Sequence, residues 1–174
     1  MPLVTHVLEP VWNADSRVLI LGTIPSPKSR ELGFYYGHPQ NRFWPVLSQV
    51  LGRPLPQTNE EKRQLCLENG VALWDVLASC DIQGASDSSI RNAKVNDFSH
   101  ILAHSAAAAI FTTGQTAHRY YQKRCAARYA VPEFCLPSTS PANCQISLPQ
   151  LVERYRVLLP YLKPASHPSQ HSIK

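Results

Sequence analysis

The chain reads as an α/β protein built on a mostly parallel sheet, and three stretches carry that expectation. Val18-Leu19-Ile20-Leu21 is wholly apolar and stops at Gly22. Ala107-Ala108-Ala109-Ile110-Phe111 runs into Thr112-Thr113-Gly114, and a helical pattern, QTAHRYYQKRCAA, follows. Glu133-Phe134-Cys135-Leu136 is a third short run and opens into LPSTSPAN. Short apolar runs without alternation mark strands buried on both faces, as in parallel sheets with helical crossovers. The repeated order of strand, glycine and helix supports an alternating plan.

Residues 1–16 form a lead-in whose Val7, Leu8, Val11 and Trp12 are expected to cover one edge of the core. Arg17 to Leu21 is the first strand, and Gly22 to Gln40 a long loop without regular structure. Asn41 starts a helix, NRFWPVLSQVLG, as its N-cap, with Trp44, Val46, Leu47, Val50 and Leu51 on one stripe and Gly52 as the stop. Residues 53–59 link to a second helix ending at Glu68 before Asn69-Gly70. Val71 to Leu77 reads as a short strand and a turn, residues 79–93 as a polar loop, and Asn96-Asp97 as the cap of a helix to His104. The helix after Gly114 carries Arg119, Lys123, Arg124 and Arg128, either a solvated face or a DNA contact. An amphipathic helix from Leu148 to Leu162 closes a single domain, residues 1–162. The Pro/Ser/His-rich stretch 163–174 is expected to be a disordered tail.

Composition narrows the function classes. No apolar run approaches the ~18 residues of a membrane span, and the N-terminus lacks the basic-then-apolar order of a signal peptide. A cytoplasmic protein is expected, nucleoid-associated in a bacterium. The five cysteines, at 66, 80, 125, 135 and 144, have no paired spacing, so neither disulfides nor a zinc site is expected. Seventeen Lys and Arg against 12 Asp and Glu give a net charge of +5, which suits a polyanionic partner. The 15 prolines cluster at 25–56 and 132–149 outside the tail, where they stiffen irregular loops.

Those loops hold the candidate chemistry. Beyond Gly22 come Thr23, Ile24, Pro25 and Ser26, an aromatic knot of Phe34, Tyr35 and Tyr36, then His38, Asn41, Phe43 and Trp44. Beyond Leu136 come Ser138, Thr139, Ser140, Pro141 and Asn143. In open α/β sheets ligands bind at the carboxyl ends of strands, so both loops should face one site. Serines near a turn offer N–H and hydroxyl groups to phosphate, and a protruding proline can wedge between bases.

Gly22-Thr23-Ile24-Pro25-Ser26, the segment Gly33 to Trp44, Ala72 to Leu77 and Leu136-Pro137-Ser138-Thr139-Ser140 together resemble the uracil-DNA glycosylase superfamily. They are most similar to its hypoxanthine (deoxyinosine) DNA glycosylase group, a relation of the mismatch-specific uracil/thymine enzymes. The resemblance covers most of residues 17–162. It implies a three-layer sandwich with a central, mostly parallel sheet of four to five strands flanked by helices. It implies a monomeric, monofunctional enzyme of base excision repair that flips a deaminated base out of double-stranded DNA and hydrolyses its N-glycosidic bond. The base would stack on Tyr36, against Thr23, Ile24, Pro25, Ser26 and Phe43, while Ser138, Thr139, Ser140, Pro141 and Asn143 hold the DNA.

One departure stands out. Distant relatives place Asp or Asn just before the motif's proline to hold a water, and this chain has Ile24. Asn41 and then His38 are the candidates to replace it, since an amide both accepts and donates and a histidine can serve water or leaving base. The first motif supplies no carboxylate, Glu31 reading as solvated, so the general base is expected to be weak or absent. Some relatives carry an iron–sulfur cluster on four cysteines; the spacing here differs, so no cofactor or metal is expected. Two other readings stay open: a lesion-binding protein without catalysis, and a nucleotide or small-metabolite hydrolase on the same scaffold. The Gly22 loop lacks phosphate-cradling glycine patterns, which disfavours the last.

Overall fold

In the computed structural model, residues 3–6 and 8–163 are described. The chain runs β1 (Leu3–Thr5), β2 (Val18–Gly22), α1 (Pro27–Leu32), α2 (Phe43–Leu51), α3 (Asn59–Glu68), β3 (Val71–Asp75), β4 (Leu77–Gln83), β5 (Ser86–Val95), α4 (Ser99–His104), β6 (Ala109–Thr113), α5 (Gln115–Arg124), β7 (Glu133–Leu136), α6 (Leu148–Tyr155) and α7 (Leu159–Leu162). Four strands form one parallel sheet in the order β3-β2-β6-β7. β2 lies between two partners and is buried along its whole length, which is why its sequence has no polar alternation.

The period-2 geometry of β2 feeds two cores. Val18 and Ile20 pack with Val46, Leu47 and Phe43 of α2 and with Leu151 and Tyr155 of α6. Leu19 and Leu21 point the other way, to Ala117 and Tyr121 of α5 and to Cys80, Ile82 and Ile90 of the second sheet. This is the expected three-layer α/β sandwich, with a small antiparallel sheet, β1-β4-β5, sharing one outer layer.

That small sheet corrects the reading of residues 79–93 as a polar loop. They form most of a hairpin, and only Cys80, Ile82 and Ile90 are buried, so its polar content belongs to the exposed face. The long loop after β2 is also partly regular. Ser26 caps α1 by accepting from the Ser29 N–H at 3.1 Å, Pro27 opens the helix, and Gly33 closes it at φ 79°. The final helix is interrupted at 156–158 by a tighter turn. Pro160 has no N–H for the carbonyl four residues earlier, so an unbroken α-helix would lose that bond.

The helix predicted to start at Asn41 begins at Phe43, with Arg42 at the cap position; Asn41 still contributes, accepting the Phe43 N–H on Oδ1 at 2.9 Å. Asp97 caps α4 as predicted, taking the Ser99 N–H at 2.9 Å. Val11 seals the sheet edge by pairing with Leu73, whereas Val7 and the tail from 164 lie outside the described residues. Arg119, Lys123, Arg124 and Arg128 are exposed, with Arg124 bonded to the Ala93 carbonyl and Arg128 3.7 Å from Asp97. Among the described residues no helix is long and apolar enough to cross a membrane.

Candidate active site

All four parallel strands deliver a residue to one cavity at their carboxyl ends. β2 supplies Gly22 and the following Thr23 to Ser26, β3 supplies Asp75, and β6 supplies Thr113. The loop after β7 supplies Ser138 to Ala142, and Tyr36, His38 and Asn41 come from the segment between α1 and α2. The cavity holds about 350 Å³, the small end of the range for ligand pockets. The two proline-stiffened loops therefore converge, as the parallel plan requires. The Arg42 N–H donates to the Thr139 carbonyl at 3.1 Å and joins them directly.

Tyr36 is the cavity's flat wall. Its ring lies parallel to that of Phe43, centroids 3.9 Å apart and planes 11° from each other, and its hydroxyl sits 3.2 Å from Thr113 Oγ1. Its φ of 53° is in the left-handed region, a conformation that costs a non-glycine residue roughly 1–3 kcal/mol. The stack and the Thr113 contact hold it there. Burial pushes the phenol up, and the nearby Asp75 charge pushes it further, so Tyr36 stays protonated. Phe43, expected to touch the base, is fully buried behind Tyr36 and does not line the cavity. It covers one face of the tyrosine and leaves the other to the cavity. Phe34 and Tyr35, the rest of the aromatic knot, are core residues.

Asn41 is anchored by its oxygen. Oδ1 accepts from the Phe43 N–H at 2.9 Å and from Thr139 Oγ1 at 2.8 Å. A backbone N–H can only donate, which fixes the amide orientation and leaves the NH₂ as the free end. The expected two-way exchange with a water is narrowed accordingly: the acceptor is already used, and Asn41 offers the cavity donors. His38 lines the cavity, and its Nδ1 accepts from the Gln40 N–H at 3.1 Å, so the neutral ring carries its proton on Nε2.

Several predicted contact groups have structural duties. The Ser26 hydroxyl caps α1, and Thr139 is buried with its hydroxyl turned to Asn41. Asn143 lies outside this cavity, its amide closing the loop by donating to the Ser138 carbonyl at 2.9 Å. Ser140 Oγ accepts from the Ala142 N–H at 3.2 Å, and Pro141 is exposed. Thr23, Ile24, Pro25, Ser138, Ser140 and Pro141 all border the cavity.

Arg42 staples the second loop. Its guanidinium donates to the Ile146 carbonyl at 2.5 Å and the Asn143 carbonyl at 2.7 Å. Bonds to charged groups contribute about 1.5–3 kcal/mol each, but water can reach part of this site. Arg42→Ala is expected to cost about 1.5–3 kcal/mol in chemical denaturation. It is also expected to speed amide exchange selectively across 138–146, and unchanged exchange there would count against the staple.

The residue that sequence reasoning passed over is Asp75. It sits within a motif noted above, ALWDVL, yet without a role, and it brings a buried carboxylate to a cavity expected to lack one. The signal was present: a charged residue ending an apolar parallel strand, where α/β sheets place their ligands. Asp87, from β5, borders the cavity as well. Among the described residues no group of three or more His, Cys, Asp or Glu is arranged to hold a metal ion.

A family model of the uracil DNA glycosylase superfamily matches residues 9–172, and the chain belongs to that superfamily. Within it, the chain is similar to a protein named hypoxanthine DNA glycosylase from Methanosarcina barkeri, 36% identical over 91 residues. A protein of the same name from Methanosarcina acetivorans is 37% identical over 90 residues. These alignments take in 52% and 51% of this chain and span only 58% and 57% of the relatives' lengths. The fold is similar to a solution NMR structure from Methanosarcina acetivorans, described as a candidate uracil DNA glycosylase. Its TM-score is 0.75 at 28% identity, over 91% of this chain and 99% of that one.

Proposed function

We propose that this chain is a monofunctional DNA glycosylase. It flips a deaminated base, hypoxanthine first and uracil in mispairs second, out of double-stranded DNA and hydrolyses its N-glycosidic bond. The observation that carries this reading is the tyrosine-walled cavity at the joint carboxyl edge of four parallel strands, rimmed by a serine-proline loop. The relatives' names point to the same substrate class.

The geometry supports a division of labour. An extruded base stacks on the open face of Tyr36, an interaction worth about 1–3 kcal/mol. Phe43 keeps that face rigid from behind. The exposed Pro141, on a loop tied down through Asn41, Arg42 and Asn143, fills the gap in the helix while backbone groups of 138–141 hold flanking phosphates. The Asn41 NH₂ and His38 Nε2–H meet negative charge developing on the departing base, and the sugar gains oxocarbenium character as the bond breaks. A cation-rich monomer with one open face can engage a duplex without a partner subunit, in the cytoplasm.

An oligonucleotide panel tests the reading. Duplexes containing inosine, mispaired uracil or mispaired thymine are incubated with the protein and treated with alkali. Strand scission at inosine is expected, with weaker scission at uracil. Salt-sensitive binding without scission would instead identify a lesion binder. Neither would leave the metabolite hydrolase.

A further inference from the structure

The carboxylate of Asp75 takes no part in the stacking and leaving-group contacts described above. It ends β3 beside Gly22, its register partner on β2. Asp75 Oδ2 accepts from His6 Nε2 at 2.7 Å, and the two side chains are 6% and 4% exposed. His6 is packed between Tyr35 and Trp74, its ring centroid 6.0 and 6.2 Å from theirs, so its imidazole has one orientation available. The other carboxylate oxygen, Oδ1, accepts no hydrogen bond from any described residue.

Glycine at 22 is what opens Oδ1 to the cavity. A Cβ there would lie 2.6 Å from Asp75 Oδ1, 3.3 Å from Tyr36 Oη and 3.7 Å from Thr113 Oγ1. Oδ1 and the hydroxyl edge of the stacking tyrosine thus crowd one point of the cavity floor. Burial pushes the Asp75 carboxyl up, and the bond and charge of His6 oppose that, keeping it an acceptor. A buried acceptor with no partner is costly, so this oxygen is suited to an incoming N–H.

Deamination makes such an N–H. Adenine N1 and cytosine N3 are bare lone pairs, whereas hypoxanthine N1 and uracil N3 carry hydrogen. Flipped bases are read along this Watson–Crick edge. We propose that Asp75, held in place by His6, accepts the ring N–H of the extruded base, so that the cavity selects deaminated bases over adenine and cytosine. The occupant is taken from the function proposed above; the new element is the group that reads it. Guanine shares the N–H, and its exclusion falls to the cost of opening its pair.

The test uses the full chain and free bases, because a product base can enter the cavity without cleavage. In titration calorimetry the wild type is expected to bind hypoxanthine about 10- to 100-fold more tightly than 1-methylhypoxanthine, which lacks the N–H. This arm needs no variant. The preference is expected to disappear in Asp75→Ala, to shrink in His6→Leu and to return in His6→Gln, which keeps a donor. Equal binding of the two bases by the wild type, binding of neither, or a preference undiminished in Asp75→Ala overturns the assignment. A protein that shows the preference yet cuts no inosine-containing duplex keeps its base reader and loses the glycosylase reading. One that cuts inosine while binding both bases equally does the reverse.

Discussion

Asn41→Ala is expected to slow single-turnover cleavage of an inosine-containing duplex about 100- to 1,000-fold, the usual effect of removing one preorganised donor from charge developing in a transition state. The reason is geometric. With Oδ1 engaged by the Phe43 N–H and Thr139, the amide cannot rotate, and its NH₂ stays turned to the cavity. Preorganisation of this kind leaves little reorganisation for the moment of reaction. The same substitution also cuts the tie between the two loops, so a second variant separates the effects. Thr139→Val removes that tie and leaves the amide in place, and its loss is expected to stay below about tenfold, the scale of one neutral hydrogen bond. Full cleavage by Asn41→Ala, or equal losses in both variants, would remove the amide from the chemistry.

The largest stability effect is expected at Phe43. Truncating a fully buried phenylalanine costs about 3–5 kcal/mol, through lost transfer energy and the cavity left behind. In a domain of this size that lowers Tm by about 10 °C. Phe43 packs parallel to Tyr36 and edge-on to Trp44, so Phe43→Ala also unbacks the stacking wall. The remaining folded protein is expected to show weaker binding of lesion duplex than its stability loss alone accounts for. Phe43→Leu, which fills most of the space, is expected to recover most of the Tm and little of the flat support. A Phe43→Ala protein with native affinity for lesion duplex would show that Tyr36 needs no backing.

The parallel strands were legible because burial on both faces leaves an unmistakable local pattern. β2 and β7 fall where their apolar runs lie, and β6 only two residues beyond its own. The hairpin of β4 and β5 was not legible, because only one of its faces is buried and its other face carries the serines and aspartates that read as loop. Phe43 was misplaced for a related reason. An aromatic residue beside a binding motif has the same sequence signature whether it faces the ligand or backs the residue that does.

Sequence by itself determined the alternating plan, the two proline-stiffened loops and their meeting at one edge of the sheet. Those features depend on local propensity and on the polarity of parallel strands. Only the tertiary structure decided which end of Asn41 is free, which aromatic ring is the wall, and that His6 meets Asp75 across 69 positions of chain. Hydrogen-bond partnership and burial depend on where distant segments pack, and no spacing along the chain encodes the orientation of a side chain once it arrives.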